Sequence, residues 1–190
     1  MKKPDIDIDL ADRDQVLALI EHTAACQIQD NKHRKHNSGV YVTPIPYDPI
    51  NNCAAIDYRA AEERGYFKLD LLNMSVYQGI RDYTHYQELL DQTPPWHRLQ
   101  EPDFVQRIVH INNHYDLLRS LPEPVNSIPR MAMFLALIRP GKRHLVGKIW
   151  QEISESIWES TEEGYSFKKS HAVSYAVLVT LHMNLVNTSD

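Results

Sequence analysis

The segment Asp5-Ile6-Asp7-Ile8-Asp9-Leu10 alternates acid and aliphatic residues without a break. A period of two is the signature of a β-strand, whose successive side chains leave on opposite faces. Ile6, Ile8 and Leu10 are therefore expected to face a core, with Asp5, Asp7 and Asp9 on the other side. Three carboxylates on one strand face repel one another, and such a row is costly unless cations neutralise it. Hard cations such as Mg²⁺ take oxygen ligands, commonly one or two carboxylates together with phosphate oxygens. Asp5 and Asp7 thus suit a two-metal phosphoryl-transfer site. An exposed, acid-faced edge strand is the plainer alternative.

The rest of the chain sets the class. Residues 13–28 take helical spacing, with Val16, Leu17, Leu19, Ile20 and Ala24 as the apolar stripe and Asp12 as the cap. A basic run at 32–36 leads into a strand at Gly39–Thr43, ended by Pro44 and Pro46. Ala54–Tyr58 reads as a weaker strand, and Tyr66–Asp70 as another after Gly65. Helices are expected over 72–91, over 102–120 as one or two pieces, and over 127–138, 142–158 and 170–186. Strands first and helices after indicate an α+β fold, a small sheet with helices packed on it. The expected division is a palm-like region, 1–92, and a helical region, 93–190, packed together as one unit.

Composition excludes some functions. The chain of 190 residues has 20 Lys and Arg against 25 Asp and Glu, a formal net charge of −5. That argues against a protein holding nucleic acid by bulk positive charge. No apolar run is long enough to span a membrane, and the N-terminus lacks the apolar stretch of a signal peptide, so a cytoplasmic location is expected. Cys26 and Cys53 are the only cysteines, and two free thiols are the simpler reading over a disulfide. His110 and His114 are expected on an exposed helix face rather than at a metal. The acid run Glu152, Glu155, Glu159, Glu162 and Glu163 is expected to be a solvated helix face and its end. No phosphate-binding glycine loop or nucleophile elbow is present.

Three further clusters bear on phosphate chemistry. Lys68-Leu69-Asp70 puts a Lys and an Asp on one strand face, where the Asp could complete a metal pair and the Lys could neutralise phosphate charge. Lys168-Lys169-Ser170-His171 opens an apolar helix, a place that attracts anions. Arg139-Pro140-Gly141-Lys142-Arg143-His144 is a basic turn suited to a triphosphate or a nucleic-acid backbone. Each has a bland alternative: a surface ion pair, a capped helix start, a solvated turn.

In this order the motifs resemble those of the C-family polymerases, the bacterial replicative DNA polymerase III alpha subunit. The family's PDxDxDF strand is matched by Pro4-Asp5-Ile6-Asp7-Ile8-Asp9-Leu10, followed by Arg13-Asp14-Gln15-Val16. The KHxxGVxxxP element is matched by Lys35-His36-Asn37-Ser38-Gly39-Val40-Tyr41-Val42-Thr43-Pro44. The GLxKxDxLxL strand is matched by Gly65-Tyr66-Phe67-Lys68-Leu69-Asp70-Leu71-Leu72-Asn73. RPGP becomes Arg139-Pro140-Gly141-Lys142, and FNKSHxxxY becomes Phe167-Lys168-Lys169-Ser170-His171-Ala172-Val173-Ser174-Tyr175.

The resemblance implies a reduced palm, similar to polymerase-beta-type nucleotidyltransferases, and reduced fingers. It implies Asp5, Asp7 and Asp70 as ligands of two Mg²⁺ ions, with Mn²⁺ an alternative, and Asp9 in support. It gives Lys68 a charge-neutralising role. It implies Arg139, Lys142, Lys169, Ser170 and His171 as contacts to the incoming nucleotide's phosphates, and Arg34, Lys35 and His36 as nucleic-acid contacts. The implied partners are primer-template DNA and dNTP, with a second polymerase chain or replication protein as a further partner and no membrane. The family's upstream Gly-Ser phosphate motif and its full thumb have no counterpart in this sequence. The alternative is therefore a split-polymerase piece, or a non-catalytic remnant that binds nucleic acid or a replication protein.

Overall fold

The computed structural model describes residues 6–159 and 167–189. Asp5, Ser166 and the pair Glu162–Glu163 lie outside them. The fold is mixed α and β, in two compact units that divide between Gly79 and Ile80.

The first unit is built on a mixed four-stranded sheet. β1 (Ile6–Leu10) pairs in parallel with β6 (Leu69–Asn73), β6 pairs antiparallel with β3 (Lys32–Tyr41), and β3 with β2 (Thr23–Gln29). The sheet order is β1-β6-β3-β2. Between these strands lie α1 (Arg13–Leu17), a two-stranded ribbon of β4 (Tyr47–Asp48) and β5 (Cys53–Ala54), and α2 (Tyr58–Glu63).

Asp12 caps α1 as expected, accepting from the Asp14 and Gln15 N–H groups at 3.0 and 3.1 Å. The helix nevertheless ends at Leu17, not near residue 28. Thr23–Gln29 is drawn into a hairpin by Asp30 and Asn31, whose φ values of +52° and +58° make a two-residue turn of the type that matches strand twist. Cross-strand pairing outweighs the helical spacing of the apolar residues. The basic run 32–36 belongs to β3 itself. The weak strand expected at 54–58 shrinks to Cys53–Ala54 because Asp57 caps α2, accepting from the Arg59 N–H at 2.9 Å.

Ile6 and Ile8 are also less buried than their period suggests, at 40% and 38% exposed. β1 is an edge strand, and the neighbouring α1 has only five residues. The core of the unit lies further along the sheet, where Ala25, Cys26, Tyr41, Cys53, Ala54 and Ala61 are buried together. Both cysteines are free and buried. Burial first, and then the neighbouring Cys53 thiol, push the Cys26 thiol up to about 11.

The second unit is helical: α3 (Tyr83–Asp91), α4 (Pro102–Arg107), α5 (Tyr115–Ser120), α6 (Ile128–Leu137), α7 (Trp150–Ser156) and α8 (Lys169–Ser189). Ser127 caps α6, and Pro129 sits in its first turn, where a missing N–H costs nothing. α6 and α8 form the heart of the unit, with Phe104, Ile108, Met131, Phe134, Ile153 and Met183 buried around them. Each such side chain stabilises by about 1.5–3 kcal/mol.

Two expected long helices are broken. A 3₁₀ turn at Ser75–Gly79 and a fresh cap at Asp82 divide 72–91. A 3₁₀ turn at Pro140–Leu145, followed by Gly147 at φ +89°, divides 142–158. His110 lies in a turn at φ +65°, not on an exposed helix face, and its Nε2 is buried. Among the described residues no helix is long and apolar enough to cross a membrane.

Candidate functional site

The register of β1, β6 and β3 decides where the acids go. Asp7 stands opposite Asp70, and Asp70 opposite Gly39. Directly opposed residues share a face of the sheet. Asp7 and Asp70 are therefore neighbours on one face, although 63 positions apart in the chain. Asp9 shares that face, two residues on. Its carboxyl is raised above the usual range, first by burial and then by the charge of Asp7. The repulsion expected of the acid row is thus present in the fold.

Asp70 is the centre of a small polar network. The Lys68 ammonium contacts its Oδ2, and the two side chains are 18% and 14% exposed. The Ser38 hydroxyl donates to its Oδ1 at 2.7 Å. His36 Nδ1 lies 3.8 Å from the same oxygen, but that contact is not an ion pair. His36 Nδ1 accepts from the Gly39 N–H at 2.9 Å and the Ser38 N–H at 3.3 Å. Burial, and next the Lys68 charge, hold its pKa below the usual histidine value. The ring is neutral at pH 7, with Nδ1 as acceptor.

Two aromatic contacts fix the surroundings. Lys68 Nζ lies 5.7 Å from the Tyr58 ring centroid, and the His36 ring meets Tyr58 edge-on at 5.2 Å. Gly39 lets Lys68 cross β3: a Cβ there would lie 2.7 Å from Lys68 Cδ. The sequence alone does not single out Ser38 as a site residue. Its position beside Asp70 follows only from the β3–β6 pairing, although it sits within the KHxxGV-like element.

The all-oxygen set of Asp7, Asp70 and Ser38 has the chemistry that hard cations take. Among the described residues no group of three or more His, Cys, Asp and Glu side chains is placed to hold a metal ion. Asp5, the third expected ligand, is outside the described residues.

Arg34, Lys35 and His36, the expected nucleic-acid contacts, lie on β3 of the β2–β3 hairpin. Arg34 Nη1 donates to Gln29 Oε1 at 3.4 Å, and Lys35 stands opposite Cys26. In the second unit, Arg139 Cζ sits 4.6 Å over the Phe167 ring, and Phe167 stacks on Tyr175 at 6.1 Å. Lys169 opens α8, with Nζ 5.8 Å from the Trp158 ring, and Ser170 and His171 follow it. Lys142 has a fold-holding role that the sequence did not reveal. Its ammonium donates to the Ser156 and Glu159 carbonyls at 2.9 and 2.8 Å, at the C-terminal end of α7. Orphan carbonyls there attract cations.

Comparison of the chain with protein-family models, curated proteins and solved structures returns no match.

Proposed function

We propose that the first unit carries the phosphoryl-transfer centre of a miniature nucleotidyltransferase resembling the DNA polymerase III alpha subunit. It would add dNTPs to a 3′-hydroxyl of primer-template DNA in the cytoplasm. The observation that supports this reading is the in-register pair Asp7 and Asp70, with Lys68 and Ser38 on Asp70. Two bound Mg²⁺ or Mn²⁺ ions would supply activation of the 3′-hydroxyl and neutralisation of the triphosphate.

The chain's own residues have separate tasks. Asp7 and Asp70 supply carboxylate oxygens on one sheet face, and Asp5 is the further metal-binding carboxylate that the resemblance implies. Lys68 brings a positive charge to the reacting phosphate as pyrophosphate leaves. Arg34, Lys35 and His36 hold the nucleic-acid strand. In the second unit, Arg139, Lys169, Ser170 and His171 are the phosphate contacts that the resemblance implies, and Lys142 supports the basic turn that carries Arg139.

One observation favours a second reading. Lys68 and Ser38 already satisfy Asp70, so that carboxylate is stable without a metal. A non-catalytic chain that binds nucleic acid or a replication protein would look like this. Incubation with primed template, labelled dNTPs and Mg²⁺ or Mn²⁺ separates the two. Incorporation that disappears in Asp7→Ala and Asp70→Ala is the expected result. No incorporation, together with a melting temperature unmoved by metal and dNTP, overturns the catalytic reading. Incorporation only on adding a second polymerase chain identifies a split enzyme.

A further inference from the structure

A cavity of about 560 Å³ lies between α1 and the β2–β3 hairpin, with Arg13, Asp14, His22, Lys35 and His36 in its lining. Arg13 is the unusual member. Its side chain is only 20% exposed, and its nearest carboxylate, Asp14, is 3.8 Å away and 93% exposed. Its Nε is buried with no hydrogen-bond partner. Among the described residues, the hydrogen bond of Arg13 is that of its backbone N–H, to Asn73 Oδ1 at 3.4 Å. A guanidinium has five N–H donors and cannot discard its charge by deprotonation. Burying one of these donors, the Nε–H, without an acceptor is costly, and the acceptor it lacks can be supplied by a bound anion.

The rest of the lining indicates what should supply them. Lys35 adds a second fixed positive charge and makes no ion pair with any described residue. Asp14 is the single carboxylate of the lining, and it points to solvent. The balance therefore favours an anion. A planar guanidinium beside a lysine suits tetrahedral oxyanions in particular. His36 belongs both to this lining and to the surroundings of Asp70, so an anion seated here lies next to the acid pair.

We propose that this cavity is an oxyanion site in which Arg13 and Lys35 grip phosphate groups, either the polyphosphate tail of a nucleotide or the backbone of a nucleic-acid strand. That the anion is a phosphate rests on the function proposed above; that the site takes an anion does not.

The test measures binding in EDTA, where metal-dependent chemistry is silent. The probes are a fluorescein-labelled oligo-dT without terminal phosphate, followed by anisotropy, and inorganic tripolyphosphate, followed by calorimetry. Arg13→Met is expected to weaken at least one probe about tenfold or more, the loss of one charged hydrogen-bonded contact. It should leave the melting temperature unchanged or raised, because no protein partner is lost. Asp14→Asn should tighten the same probe. Loss for oligo-dT alone identifies a strand-backbone site, and loss for tripolyphosphate alone a nucleotide-tail site. The proposal is overturned if wild type binds neither probe. It is also overturned if Arg13→Met and Lys35→Met bind both probes like wild type, or if Arg13→Met lowers the melting temperature by several degrees. Arg13-dependent binding in a chain that incorporates no dNTP would refute the catalytic reading and leave this site standing. Incorporation with Arg13-independent binding would do the reverse.

Discussion

Replacing Gly39 by Ala tests whether the crossing of Lys68 over β3 is as tight as the structure makes it. The new Cβ would lie 2.7 Å from Lys68 Cδ, 3.0 Å from His36 Nδ1 and 3.1 Å from Ala25 Cβ. Comfortable carbon contacts are about 3.5–4.0 Å, so all three neighbours must give way. Lys68 can swing aside, but only by loosening its contact with Asp70. His36 can turn only by giving up the Ser38 and Gly39 N–H donors. Ala25 is tied to the backbone of β2. Overpacking of this kind costs about 1–3 kcal/mol. Ala is preferred to Gly in a strand by about 0.5–1 kcal/mol, which offsets part of it. The expected net loss is about 1–2 kcal/mol. Urea denaturation followed by far-ultraviolet circular dichroism should show the midpoint falling by about 1 M. In a Lys68→Ala background the worst contact is absent, so the same substitution should cost visibly less, a non-additivity expected of touching residues. An equal cost in both backgrounds, or no cost in either, would refute the reasoning.

Asn184 is 3% exposed, and its Nδ2 donates to the Leu89 and Gln92 carbonyls at 2.7 and 3.1 Å, tying α8 to α3. Asn184→Ala should cost about 1–3 kcal/mol in chemical denaturation, since the Leu89 carbonyl is left without its partner. His182 Nδ1 accepts from the Val109 N–H at 3.0 Å, and burial, followed by the Arg107 charge, holds its pKa below the usual 6.5. Below pH 6.5 the unfolded chain therefore binds more protons than the folded one. Stability is complete above that pH and is lost as pH falls through the folded value. Denaturation midpoints at pH 7 and pH 5 should differ less in His182→Gln than in wild type. Lys142→Met should lower stability by about 1 kcal/mol through the lost contacts to the Ser156 and Glu159 carbonyls, read as a lower urea midpoint.

The order of elements was legible because periodicity reports burial. β1 and α6 have unambiguous patterns and lie within one residue of the expected bounds, while α8 runs three residues past its expected end. The errors have a common cause, which is punctuation overruled by pattern. Thr23–Gln29 continued a helical stripe, and only Asp30-Asn31 marked the hairpin. Gly147 broke a helix whose apolar spacing ran straight through it. The acid pair was legible at Asp7 and Asp70 because strand period places an acid on a face. The sequence does not single out Ser38 or Arg13 as site residues, because their significance depends on which strands become neighbours and on what a helix leaves uncovered. Nothing local in the sequence records either.

The parallel pairing of β1 with β6 also has a consequence in time. β1 cannot find its partner until some 63 further residues have been made. At about 5–20 residues per second that is a wait of about 3–13 s. The β2–β3 hairpin closes locally in the meantime, on the scale of microseconds. Throughout the wait β1 is an unpaired strand bearing Ile6, Ile8 and Leu10, the kind of segment that recruits other chains. Asp7 and Asp9 interrupt it with like charge, as gatekeepers do in sequences that must expose a strand before they can bury it. The acid row therefore acts first on the nascent chain, before Asp70 has been synthesised.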